Sequence, residues 1–191
     1  MGEAQRLQYL LCAEVAARLL DAGLPVFPIQ ASAFAIQERG RLVDFSYAAI
    51  EGLVAQGLVP LLYGVPAVDR AQGCSILSGD VIAANVAARL GIPLLIHATL
   101  TDGVFEADPA SHPEAQRIAR IDRSNWATVR NAVGTSAAID VTGGMAAKIQ
   151  ALLDLAQAGP RSRIVSAQIA GRITDAIQGR DVGTLVCWES T

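Results

Sequence analysis

The sequence predicts an α/β protein with a mainly parallel open sheet and helices on both faces. Two observations carry that reading. Short apolar runs of strand length alternate along the whole chain with longer segments of helical apolar spacing. One run, "IPLLIHATL", is almost entirely apolar, as strands buried on both faces inside parallel sheets are. No linker composition interrupts the alternation, so residues 1–191 read as a single domain.

In chain order, residues 4–22 carry apolar positions at helical spacing and stop at Gly23 and Pro25. "PVFPIQ" is a short strand, and "FAIQERGRLVDF" a hairpin with Gly40 in its turn. "SYAAIEGLVAQG" is a helix with Ser46 as its N-cap and Gly57 beyond its end. It feeds the strand "LVPLLYG", a loop, and then the helix "SGDVIAANVAARLG". After "IPLLIHATL", residues 102–123 are polar and contain prolines, and read as loop with short structure. A helix follows Thr142 and ends near Gly159. Strand "RIVSAQI", helix "GRITDAIQG" and strand "GTLVCWE" complete the chain.

Composition narrows the function. At 191 residues, 52% hydrophobic and 17% charged, the chain is long enough for a sizeable core. No segment approaches the run of about 20 apolar residues that spans a bilayer, and the N-terminus does not have the form of a signal peptide. A cytoplasmic protein without a membrane partner is expected. The net charge of −3 has no basic block behind it, which argues against nucleic acid. Three widely spaced cysteines read as free thiols, and two distant histidines offer little to a zinc site, so no metal ligands are assigned.

Ligands of open α/β sheets bind beyond the carboxyl ends of the strands. Three segments stand at such ends. "SILSGD" opens a helix with Ser78, Gly79 and Asp80; "TDGVFEADP" runs from Thr101 to Pro109; "DVTGGMAAK" joins Thr142, Gly143 and Gly144 to Lys148, the only lysine of the chain. Bare backbone amides and a cation at a helix start form a seat for phosphate. A plain N-cap at Thr142 accounts for the same residues, as first-turn placement does for Asp80 and turn chemistry for Asp102 and Asp108.

Taken in order, Tyr63-Gly64, "ILSGD", "TDGVFEADP", "DVTGGMAAK" and Gly183-Thr184 resemble the amino acid kinase superfamily. The wording of "DVTGGM" and "ILSGD" is most similar to isopentenyl phosphate kinases. The resemblance implies a three-layer αβα sandwich, usually a homodimer, that transfers phosphoryl groups from ATP with Mg2+ to a small-molecule phosphate substrate. The product would be isopentenyl diphosphate, made from isopentenyl phosphate in isoprenoid biosynthesis. By matching position, Lys148 would stabilise charge on the transferring phosphoryl oxygens and Asp80 would orient lysines. Thr142, Gly143 and Gly144 would admit the phosphates, while Asp102, Gly103, Val104, Phe105 and Asp108 would flank the nucleotide. Gly64, Ser78 and Gly79 would lie near the acceptor. The apolar residues of the first helix and of "VFPIQASAFAI" would line an aliphatic tail pocket or simply pack as core.

The sequence also departs from that family. Its opening Lys-x-Gly-Gly-Ser strand and a second glycine-rich loop with a histidine have no counterpart here, and Met1 falls at the family's third helix. Leu100 and Val81 stand where acids are usual, and Gly64 is followed by Val65 rather than aspartate. The N-terminal third of the kinase fold is therefore read as absent. The 191 residues alone are expected to have negligible kinase activity and an uncovered strand edge. A truncated kinase is the reading adopted. A chain that needs a second chain, a non-catalytic nucleotide-binding or regulatory relative, and a fosfomycin-type kinase are the alternatives.

Overall fold

A computed structural model describes residues 1–133, 144–157 and 159–189. They form two compact units, Met1–Leu90 and Gly91–Thr191.

The first unit opens with α1 (Gly2–Asp21). Its end is closed by the Gly23 and Leu24 amides, which donate to the carbonyls of Leu20 and Leu19. This closure needs a left-handed residue, and Gly23 supplies it at φ +81°. Strand β1 (Val26–Pro28) then pairs in parallel with β4 (Val59–Leu61). Between them lie a 3-10 turn at Ala31–Ala33, the hairpin β2 (Ala35–Glu38) to β3 (Arg41–Phe45), and helix α2 (Ala48–Ala55). The hairpin turn is Arg39-Gly40, as the alternating pattern around Gly40 predicts. Both residues have positive φ, the geometry that matches strand twist in a two-residue loop.

Residues 65–77, expected from the sequence to be loop, form a second hairpin instead: β5 (Val65–Asp69) against β6 (Gly73–Leu77). β5 also pairs in parallel with β2, which gives a four-stranded sheet ordered β3-β2-β5-β6. The strand was hidden because Pro66 sits within it and because its inward position 69 carries an aspartate. Helix α3 (Gly79–Leu90) closes the unit. Its Ile82 joins Ile50 of α2 and Phe45, Val65 and Leu77 of the sheet in one apolar core.

In the second unit, β7 (Leu94–Thr99) and β11 (Arg161–Ser166) are parallel and in register from Leu94–Arg161 to Thr99–Ser166. Their carboxyl ends therefore coincide. β12 (Thr184–Val186) runs antiparallel to β11, and β10 (Arg120–Ile121) parallel to β12, in the order β10-β12-β11-β7. The polar segment contributes β8 (Val104–Phe105) and β9 (Arg117–Ile118) as a short antiparallel pair.

The helices before and after β11 in the chain cover this sheet. Ile149, Leu152 and Leu153 of α5 (Gly144–Ala156) cluster with Ile164 and Val186, whereas Ala176 of α6 (Arg172–Ile177) clusters with Val165. Successive strand residues face opposite ways, so Ile164 and Val165 put α5 and α6 on opposite faces. The unit is thus layered α/β/α, as the alternation of elements predicts.

Helix α4 (Trp126–Val133) is an addition to the sequence reading. Its start is an aspartate turn: Asp122 accepts from the Ser124 amide and hydroxyl, and the Asp122 amide donates to Asn125 Oδ1. The Ser124 hydroxyl, more than the opposing effect of burial, holds the Asp122 carboxyl below its ordinary range; Arg120 adds to it.

Candidate functional site

In the first unit, two of the segments singled out by sequence meet. A Cβ on Gly64 would lie 3.0 Å from the Gly79 amide nitrogen and 3.3 Å from the Leu77 carbonyl oxygen. Glycine at 64 is therefore a packing requirement: it lets the end of "LVPLLYG" rest on the start of α3. At that start the Ser78 hydroxyl accepts from the Asp80 amide at 3.2 Å, which makes Ser78 the N-cap. Asp80 is exposed in the first turn, where the helix dipole favours an acid. Gly64, Ser78, Gly79 and Asp80 are thus one junction.

Beside it lies a cavity of about 250 Å³, lined by Tyr9, Cys12, Ala13, Pro28, Ile29, Gln30 and Tyr63. The Tyr9 and Tyr63 rings meet edge-on with centroids 6.3 Å apart. Burial pushes the Tyr63 hydroxyl and the Cys12 thiol above their ordinary pKa values, and for Tyr63 the nearby Cys12 and Tyr9 add to the effect. Gln30 accepts from the Tyr9 hydroxyl and donates to Ser32, which ties the polar rim to α1. The interior is apolar with a polar edge, suited to an alkyl or alkenyl group. Sequence reading pointed to α1 and "VFPIQASAFAI" as a tail pocket but not to Tyr63, whose only signal was its place before Gly64.

In the second unit, the loop after β7 is gripped from two sides. Asp102 Oδ1 accepts from the Ser166 amide at 3.1 Å, and Oδ2 pairs with Arg172 at 2.9 Å. On the other side, Thr184 Oγ1 accepts from the Val104 amide at 2.8 Å and donates to the Ile118 carbonyl at 2.6 Å. Gly183 has φ +61°, and a Cβ there would lie 2.0 Å from Ile164 O, so only glycine fits. Gly103 likewise abuts Thr184: its Cβ would lie 2.5 Å from Oγ1. The structure therefore brings Asp102, Gly103 and Val104 together with Gly183, Thr184, Ser166 and Arg172 at coincident strand ends. Of these, sequence reading missed Ser166 and Arg172.

The Val104 side chain is buried in the core, and half-buried Phe105 pairs with Arg117 across β8 and β9. Asp108 shapes a turn, accepting from the Ala110 amide at 3.0 Å. Lys148 is half-buried on α5, whose first residue is Gly144. Thr142 and Gly143 lie outside the described residues. No described helix is long and apolar enough to cross a membrane.

Residues 5–166 match the model of the amino acid kinase family. The chain belongs to that family. It is 34% identical over 167 residues to an isopentenyl phosphate kinase of Methanothermobacter thermautotrophicus, covering 86% of this chain and 61% of that protein. It is 32% identical over 136 residues to a glutamate 5-kinase of Meiothermus ruber, covering 71% and 36%. An X-ray structure of isopentenyl phosphate kinase superposes with a TM-score of 0.79 at 30% identity, over 95% of this chain and 67% of that one. A UMP kinase from Ureaplasma parvum, 16% identical with a TM-score of 0.62, shares the fold. The α/β amino acid kinase fold expected from the sequence is thereby established. The chain spans 61%, 50% and 45% of the length of three isopentenyl phosphate kinases it matches.

Proposed function

We propose that this chain carries the acceptor and nucleotide sites of an ATP-dependent kinase that phosphorylates isopentenyl phosphate to isopentenyl diphosphate. The observation that carries the acceptor class is the apolar cavity beside the Gly64–Gly79 junction, in a chain similar to isopentenyl phosphate kinases. The cavity has room for a branched five-carbon tail, and the adjoining junction offers backbone at a helix start to the phosphate that the tail carries.

In the proposed reaction an oxygen of the acceptor phosphate attacks the γ-phosphorus of ATP. The bond from that phosphorus to its bridging oxygen breaks, and ADP leaves. Such transfer demands positioning and positive charge more than covalent help. Lys148 is assigned the charge on the transferring group, with the backbone at Thr142, Gly143 and Gly144 as the phosphate seat. Asp80 is assigned the orienting acid, and the loop Asp102 to Asp108 the nucleotide wall. Gly103 and Gly183 fix the shape of that loop, since a Cβ at either would intrude on Thr184 or Ile164. Mg2+ carried by ATP would supply charge neutralisation on the phosphate oxygens. The single-domain action of the two units, a homodimer and a cytoplasmic location belong to the same proposal.

A second reading, a nucleotide-binding relative without turnover, is favoured by Leu100. It is 77% exposed at the end of β7, where the resemblance has an acid. Two measurements on the 191-residue chain separate the readings. Calorimetry with ATP tests the nucleotide site, and calorimetry with isopentenyl phosphate tests the acceptor site. Because the 191 residues alone are expected to turn over negligibly, binding of both ligands supports the kinase, and ATP binding without acceptor binding supports the second reading. Failure to bind ATP overturns both.

A further inference from the structure

We propose that Arg172 is a positioning residue of the nucleotide site: its guanidinium holds the Asp102 carboxylate and so sets the loop 102–104 against Gly183-Thr184. This rests on the reading of that loop as the nucleotide's wall. Four observations support it. Arg172 pairs with Asp102 Oδ2 at 2.9 Å, and the two side chains are only 25% and 20% exposed, so solvent screens the pair weakly. The other carboxylate oxygen accepts from the Ser166 amide, which anchors Asp102 at the coincident ends of β7 and β11. The backbone that presents Arg172 is itself fixed: its amide donates to Ile169 O, and the Gln168 amide donates to Ser166 Oγ. Finally, Arg172 Nε is buried with no hydrogen-bond partner among the described residues, so the guanidinium bonds the loop through its far end.

Thr184 grips the same loop through the Val104 amide. Arg172 and Thr184 thus act on successive parts of a short segment, one on the Asp102 side chain and one on the Val104 backbone. Releasing the Arg172 grip frees Asp102 to rotate from the strand ends while the Thr184 contact keeps the core intact. Nucleotide affinity should therefore suffer more than folding.

The test is calorimetric titration of the chain with ATP and, separately, with adenosine. Arg172→Gln should weaken both by a similar factor, roughly tenfold, which corresponds to about 1.4 kcal/mol. Arg172→Lys should recover part of the loss, because an ammonium keeps one charged contact but not the planar fork. Asp102→Asn combined with Arg172→Gln should be no worse than either alone, since both remove one interaction. Unchanged affinity, additive losses, or a loss confined to ATP would overturn the proposal, the last by placing Arg172 on phosphate. If Arg172→Gln fails to fold by circular dichroism, Asp102→Asn reports on the same pair. Should the unaltered chain bind neither ligand, it is the nucleotide reading that fails, and that outcome is visible before any variant is made.

Discussion

Asp69 and Asp102 are both aspartates at strand ends that collect backbone amides, yet they do different work. Asp69, 1% exposed, accepts from the amides of Arg39, Gly40, Ala71 and Gln72 and from the Ser75 hydroxyl. Its oxygens are saturated from within its own sheet, and they lock the turn of one hairpin to the turn of the next. Asp102 takes one amide and one distant arginine, and it stays partly open to solvent. A carboxylate whose acceptors are all filled by nearby backbone is architecture. One held by a single amide and a side chain from another element can be part of a site, because its position depends on a contact that can be changed without unfolding the sheet.

The largest effects should come from breaking architecture. Asp69→Ala would leave four amides and a hydroxyl without their acceptor, and the stability lost should exceed that of the milder substitutions that follow. Denaturant titration followed by circular dichroism measures it. The pH dependence follows from the same bonds. Burial alone would raise the Asp69 carboxyl, but the amides and the Ser75 hydroxyl outweigh it and hold the pKa below the ordinary range. A group with a depressed folded pKa stabilises above its unfolded value of about 3.9 and loses that contribution as pH falls through its folded value. Asp69→Asn should therefore be less stable at neutral pH and show a flatter acid limb. An unchanged slope below pH of about 4 would show that Asp69 is not the group that titrates.

Gly183→Ala comes next. The added Cβ would overlap Ile164 O at φ +61°, so β11 and β12 must separate or the turn must rebuild. A cost of about 3 kcal/mol or more is expected, as for other strained or overpacked core sites. Thr184→Val keeps the shape but leaves the Val104 amide without its acceptor. A loss of about 1–3 kcal/mol should follow, and ATP affinity should fall with it. A variant that loses stability but not affinity would separate this contact from the proposed nucleotide wall.

Much of this contrast could be read from the sequence, and the exceptions have physical causes. The hairpin at Gly40, the helix stop at Gly23 and the strand "IPLLIHATL" were legible because periodicity and glycine are local signals. β5 was not, because Asp69 occupies an inward position where the alternation calls for an apolar residue. Its reason for being there is a set of amides donated from the turns on either side, which no period can show. Arg172 was equally silent. It reads as one more arginine opening a short helix, and its partner Asp102 lies on a separate element. By contrast Gly103 stood out as a turn residue, and Gly64 and Gly183 through the family resemblance; at all three an added Cβ would meet backbone closely.

The smallest expected effect is also the sharpest test of the first unit. Ser78 carries two assignments at once: N-cap of α3, shown by its bond from the Asp80 amide, and a contact near the acceptor phosphate, proposed from its place beside Gly64. Ser78→Ala removes both and should cost about 1 kcal/mol of stability. Ser78→Asp divides them. Aspartate caps as well as serine, so stability should return to that of the unaltered chain. A carboxylate facing an incoming phosphate repels it, so affinity for isopentenyl phosphate should stay low. If Ser78→Asp restores stability and acceptor affinity together, Ser78 is a cap alone, and the proposed acceptor seat would rest on the backbone of Gly64 and Gly79.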